Sequence, residues 1–206
     1  SYRSTFFFFF FHSRFCLKAY SRGEDASFIC GACSRTPPAY YYALSAVHFS
    51  GLPRDLIHRL KYGGQLWLAG ELTDLLEACL RSGFPSDEID AVLPVPLHRL
   101  RRRERTYNQA AVLAESLAKR IDRRFDSESL SRIRMTTTQT ALDLPARRAN
   151  LSGAFAVTRP DWVRDRTLLL VDDVMTTGST LDACAQALKA AGAARVWAVS
   201  VARGTV

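Results

Sequence analysis

From residue 39 onward the spacing of apolar positions switches repeatedly between a period near two and a period near 3.6, and each switch marks an element. "YYYALSAVHF" alternates weakly and is rich in β-formers, which predicts a strand at about 41–49. In "LPRDLIHRLKYGG", Leu52, Leu56, Ile57 and Leu60 share one helical face, and Gly63–Gly64 end the helix. "LWLAGELTDLLEACLRSG" predicts a second amphipathic helix, stopped by Gly83. "IDAVLPVPLH", residues 89–98, is a short apolar run with prolines at its far end, as in a buried strand feeding a loop. A basic loop, "RLRRRERTYNQ", leads into the helical pattern "AAVLAESLAKRI" at 110–121. Segment 129–135 fits a strand, whereas 136–150, "TTTQTALDLPARRAN", has no period and predicts a long functional or mobile loop. "LSGAFAV" and "TLLLV" read as strands, 181–191 as a helix and "RVWAVSVAR" as a closing strand. Strands alternating with helices predict a mostly parallel sheet with helices on both faces.

Residues 1–38 do not share this pattern. Six phenylalanines, Phe6 to Phe11, precede "CLKAYSRGEDASFICGACSRTPP", and Pro37–Pro38 form a natural boundary. The phenylalanine run is shorter than a signal-peptide core and no small-residue cleavage site follows, so an irregular leader is expected. The chain begins with Ser rather than Met, and a degenerate fragment stays open as an alternative. Apolar residues make up 48% and charged residues 23% of the 206, ordinary for a soluble α/β protein. No stretch approaches the roughly 20 apolar residues of a membrane span. Five cysteines at 16, 30, 33, 79 and 184 are odd in number and mostly isolated. That excludes a secreted disulfide framework and predicts a reducing, cytoplasmic setting. A net charge of +8 favours polyanionic or phosphorylated partners.

The candidate chemistry gathers in "LLLVDDVMTTGSTLDACAQAL", residues 168–188. Ligands of open α/β sheets bind beyond the carboxyl ends of the strands, where this loop falls. Gly178 permits close backbone approach, the Thr and Ser hydroxyls donate without bulk, and a helix N-terminus aims amides at an anion. A carboxylate beside a phosphate would repel it, so Asp172 and Asp173 serve another part of the ligand. Neighbouring sugar hydroxyls suit them, because an ionised carboxylate accepts hydrogen bonds. A sugar phosphate satisfies both halves. A Walker-type loop would need a GK[ST] ending, which is absent; a plain strand-to-helix turn with Asp and Thr as caps remains the bland reading.

"LLLVDDVMTTGST" resembles the phosphoribosyl-pyrophosphate (PRPP) motif of type I phosphoribosyltransferases. The wider chain is similar to the ComF family of competence-associated proteins, through "LKYGG", "VLPVPLHRLRRRERTYNQA", "RIRMTTTQTALDLPARRANLSGAF" and "ALKAAGAARVWAVSVARG". The resemblance implies a type I phosphoribosyltransferase fold over 39–206, a mostly parallel sheet flanked by helices, preceded by a small cysteine-containing segment in 1–38. It implies that Asp172 and Asp173 hold the ribose hydroxyls and that Thr176, Thr177, Gly178, Ser179 and Thr180 wrap the 5′-phosphate. The loop with Arg99, Arg101, Arg102, Arg103 and Arg105 would bind pyrophosphate, Arg105 foremost; a solvated or nucleic-acid-binding face is the other reading of these arginines. Thr106 stands where the family usually shows Gly, and a β-branched residue resists conformations that glycine allows.

By the same resemblance, 134–150 forms a catalytic lid with Arg134, Gln139, Arg147, Arg148 and Asn150 at motif positions, and residues 40–85 form a hood that selects the acceptor. The implied activity is transfer of phosphoribosyl from PRPP, with Mg²⁺ bridging pyrophosphate and ribose oxygens, to an acceptor the sequence does not name. The alternative is a non-catalytic accessory of DNA uptake that binds nucleotide, single-stranded DNA or the competence machinery. The family carries two CxxC pairs, but here Cys30 and Cys33 are intact and Cys16 faces Ala19. Three thiolates leave a tetrahedral Zn²⁺ site one donor short, with His12 as a fourth at unusual spacing, and a redox-active or free pair as the rival reading. Cys79 and Cys184 fall on apolar helical faces and are expected in the core.

Overall fold

A computed structural model describes residues 35–83, 86–98, 106–134 and 150–204. Five strands form one sheet in the order β1–β7–β6–β2–β3: β1 Tyr42–His48, β2 Ala91–Pro94, β3 Arg124–Phe125, β6 Thr167–Met175 and β7 Arg195–Arg203. All four pairings are parallel. Leu168 to Val171 and Val196 to Ala202 are buried on both faces, as a covered parallel sheet requires, and so they read as unbroken apolar runs. β4 Leu130–Arg132 and β5 Phe155–Val157 pair antiparallel as a separate hairpin.

Among the described residues five helices frame the sheet: α1 Gly51–Tyr62, α2 Ala69–Gly83, α3 Gln109–Arg120, the short α4 Pro160–Val163 and α5 Ser179–Ala190. Two cores result, one on each face. Leu72, Leu76 and Leu80 of α2 and Leu113 and Leu117 of α3 pack on one side with Leu169, Val171 and Val199. Leu181, Cys184, Ala185 and Leu188 of α5 pack on the other with Leu168, Leu170 and Ala198. Each such fully buried leucine contributes about 2 kcal/mol of transfer free energy before entropy is counted.

The connections locate the ligand site. β2 runs through α3 on one face to β3, while β6 runs through α5 on the opposite face to β7. The chain therefore leaves adjacent strands β2 and β6 in opposite directions, and their carboxyl ends form the switch-point crevice where open sheets bind ligands.

Several expectations are corrected. The strand predicted over 167–171 continues to Met175, so Asp172 and Asp173 lie inside β6 rather than after it. The flanking β7 still offers Ser200 and Ala202 as partners, and the ladder goes on where the apolar run has stopped. The strand expected through 151–157 is confined to Phe155–Val157, whereas the run at 89–98 is, as expected, a buried strand, Ala91–Pro94, that feeds a loop. The second helix begins as a tight 3₁₀ turn at Leu66–Leu68. Leu52, assigned to the buried face of α1, is 58% exposed; Ile57 and Leu60 are fully buried there, and Leu56 packs against the same core partly buried. Cys79 and Cys184 are buried as expected.

Candidate functional site

The end of β6 presents its two acids in a fixed arrangement. Asp172 Oδ1 accepts the Asp173 amide at 2.9 Å, and Asp173 Oδ1 accepts the Val174 amide at 2.7 Å. One oxygen of each carboxylate is thereby tied to backbone. Burial above all, and then the neighbouring Asp173 carboxylate, pushes the Asp172 carboxyl up to about 8, against the pull of Lys61 and the Asp173 amide. Cys184 of α5 lies close enough to sense both Asp172 and Arg132 of β4, and burial raises its thiol well above the ordinary value.

Three residues on, Gly178 caps α5 with φ of +78°, a left-handed conformation that glycine adopts without strain. The site has a second need for glycine. A Cβ there would lie 2.9 Å from the Tyr40 hydroxyl and 3.7 Å from the Met175 sulfur. The Thr177 and Ser179 hydroxyls are 2.9 Å apart, and Thr177 Oγ1 lies 3.3 Å from the Ser179 amide. Gly204 flanks Thr176 so closely that a Cβ on it would come within 2.9 Å of the Thr176 methyl. The loop is thus boxed between Tyr40 and the end of β7, with the first amides of α5 and its positive dipole end beyond it.

A helix distant in sequence closes over the acids. Lys61, in the last turn of α1, places Nζ 2.7 Å from Asp173 Oδ2, with side-chain exposures of 18% and 4%. The contact is an ion pair without hydrogen-bond alignment, since Asp173 Oδ2 has no hydrogen-bond partner. The glycines that follow explain "LKYGG". A Cβ on Gly63 would meet the Arg59 carbonyl oxygen at 2.8 Å, and Gly64 has φ of +64°. The Tyr107 hydroxyl donates to the Leu60 carbonyl, tying the end of α1 to the chain just before α3. Lys61 and Tyr107 sat in the sequence blocks that carried the resemblance, but no spacing rule connects residues 61, 107 and 173.

The stem of the basic loop is also built. Val95 donates its amide to Val171 O at 2.9 Å, and Asn108 Nδ2 donates to Val95 O at 3.0 Å. Asn108 Oδ1 accepts the Ala110 amide at 3.1 Å as the cap of α3. Thr106 has φ of +64°, a left-handed conformation that glycine adopts without strain and a β-branched residue resists. Arg134 sits at the mouth of the 134–150 loop, where its Nη2 donates to the carbonyls of Asn150 (2.8 Å) and Ser152 (2.6 Å) and ties the two stems together. Arg99, Arg101, Arg102, Arg103, Arg105, Gln139, Arg147 and Arg148, like Cys16, Cys30 and Cys33, lie outside the described residues. A cavity of about 760 Å³ opens between the β2 loop, α3 and the β4–β5 hairpin, lined among others by His98, Asn108, Glu115, Phe125 and Arg132. None of its lining residues belongs to 172–180.

The phosphoribosyl transferase domain family matches residues 107–205, which take in the acids, the loop and α5. The chain is 34% identical over 172 residues to the DNA utilization protein YhgH of Escherichia coli K12, covering 81% of this chain and 74% of that one. It is 32% identical over 179 residues to Competence protein F of Haemophilus influenzae, covering 84% and 78%. Competence protein ComFC of Bacillus subtilis shares 25% over 153 residues, covering 73% and 59%. The chain belongs to the ComF family. In this ComF chain the matched phosphoribosyl transferase domain starts at Tyr107, so α1 and Lys61 precede it while still closing on its acids.

Proposed function

We propose that the chain binds PRPP at the switch-point crevice and transfers its phosphoribosyl group to an acceptor. One observation carries the reading: two carboxylates with backbone-fixed oxygens stand in the strand that feeds a left-handed glycine and an open helix N-terminus. Asp172 and Asp173 accept the ribose hydroxyls, and the Thr176–Thr180 loop with the amides of α5 receives the 5′-phosphate. Arg105 and its neighbours pair with pyrophosphate oxygens, and the 134–150 lid with Gln139 and Arg147 excludes water. Such a site acts by positioning and charge stabilisation, without a protein nucleophile. Among the described residues no three or more His, Cys, Asp or Glu side chains gather as a metal-binding cluster. Mg²⁺ brought in with PRPP would have Asp172 and Asp173 near the ribose as oxygen donors, and would supply charge neutralisation for the pyrophosphate group.

Calorimetry with PRPP and Mg²⁺ tests the binding. Micromolar affinity in the wild type and its loss in Asp172→Asn/Asp173→Asn are expected; silence in the wild type overturns the reading. Pyrophosphate release across a panel of nucleobases and amines then tests transfer. Zn²⁺ on Cys16, Cys30 and Cys33 needs a fourth donor, and metal analysis of the purified protein decides whether it is held.

A second reading, binding of single-stranded DNA as an accessory of DNA utilization or competence, draws on the names of the relatives and on one surface. Phe49, His58 and Tyr62 make a row of tilted and edge-on contacts with ring centroids 5.8 Å apart, and Trp67 nearby in sequence is 67% exposed. The exposed Tyr62 and Trp67 rings, with the exposed Arg54 and Arg59 of the same helix as Tyr62, suit base stacking with phosphate pairing. Affinity for an oligonucleotide should then fall steeply with salt, and a flat dependence removes this reading.

A further inference from the structure

We infer that Lys61 is a positioning residue of the pentose site: α1 delivers its ammonium to Asp173 so that the acid pair is oriented and charge-compensated before a ribose arrives. The inference rests on the ribose reading of the pair and adds a residue from outside the phosphoribosyl transferase domain match.

The geometry has three parts. First, both partners are largely shielded from water, and the 2.7 Å separation joins residues 112 positions apart, so the contact belongs to the tertiary structure and not to a local turn. Secondly, the lysine is not free to drift. Leu60, one residue before it, is fully buried and has its carbonyl held by the Tyr107 hydroxyl, and the Gly63–Gly64 turn stops the helix directly after Tyr62. Thirdly, Asp173 Oδ1 is occupied by the Val174 amide, which leaves Oδ2 as the oxygen that Lys61 orients. Oδ2 is itself buried against Lys61, so a hydroxyl that reaches it has to share it with the ammonium, using one of the carboxylate's about four lone-pair positions.

The electrostatic consequence falls on the neighbour. Two adjacent carboxylates resist joint ionisation, and an ammonium beside them lowers that cost. From the other face, the Cys184 thiol of α5 senses Asp172, and Arg132 of β4 acts in turn on that thiol. Lys61 is the cation in direct contact. Without it, fewer molecules at neutral pH present two ionised acids to the sugar hydroxyls.

The test has a ligand-free arm and a ligand arm, both on the full chain. In the first, carboxyl ¹³C NMR follows the titration of Asp172 in the wild type, Lys61→Met and Lys61→Arg. The midpoint should move up by about one pH unit in Lys61→Met and stay near the wild-type value in Lys61→Arg. In the second, calorimetry with PRPP and Mg²⁺ is repeated from pH 6.5 to 9. Affinity of Lys61→Met should fall about tenfold at pH 7 and recover toward pH 9, with rescue by Lys61→Arg. An unmoved midpoint, or a loss of affinity that is the same at every pH, overturns the inference. A shifted midpoint in a protein that never binds PRPP keeps the charge-setting role of Lys61 and overturns the ribose reading instead.

Discussion

Thr106 is a β-branched residue held at φ of +64°, where its Cβ crowds the following carbonyl. Thr106→Gly should relieve that strain by about 1–2 kcal/mol, partly offset by about 0.5–1 kcal/mol of extra unfolded-state entropy. A small rise in the melting temperature is expected, read by calorimetry. Asp172 gives a prediction of opposite character. Its carboxyl is raised to about 8 in the fold, against about 4 in an unfolded chain. Between those values the folded protein keeps a proton that the unfolded chain has released. This contribution is full below about pH 4 and is lost as pH rises through 8. The ligand-free protein should therefore lose stability from pH 5 to 8 more steeply than Asp172→Asn, and thermal melts across that range check it. At this scale the sequence displayed the acids, the loop hydroxyls and the glycines, because their order is itself the signal. It did not display Lys61 beside Asp173 or Tyr40 behind Gly178, since neither contact has a fixed spacing.

At the scale of elements, the legible parts were those with a clean apolar period. The closing strand at 195–203 and the helix after Asn108 correspond to their patterns because both bury what the period says they bury. β6 was read short because polar side chains ended the apolar run while the backbone ladder continued. Leu52 was read as buried because helical spacing counts a face, not what lies opposite it. β3, two residues long, has too few positions to show any period. The hydrogen bond from Tyr107 to Leu60 O links α1 with the stem of the basic loop. Removing it with Tyr107→Phe should cost about 1 kcal/mol locally and speed amide exchange in the last turn of α1 about fivefold, as hydrogen–deuterium exchange would show.

For the whole molecule, a buried acid adds a polar link between the hairpin and the sheet to the apolar packing of Leu130 and Phe155. Asp126, 7% exposed, accepts the amides of Glu128 at 2.8 Å and Ser129 at 2.7 Å, and pairs with Arg159 beyond β5. Asp126→Ala leaves two amides and a guanidinium without that acceptor, and should lower unfolding free energy by about 2–4 kcal/mol in a denaturant titration. Another long-range link concerns how the domain can be cut. The Ala39 amide donates to Asp182 Oδ1 at 2.7 Å, in the first turn of α5, and buried Tyr40 stands against Gly178. Ala39 and Tyr40 thus form the back wall of the Thr176–Thr180 loop. A shortened chain that starts at Arg35 retains this wall, and one that starts at Tyr42 lacks it although every strand is intact. The second should melt several degrees lower than the first, since it also loses the buried Tyr40 ring, and should bind ribose 5-phosphate more weakly. Support for the Gly178 loop thus reaches back three residues ahead of β1.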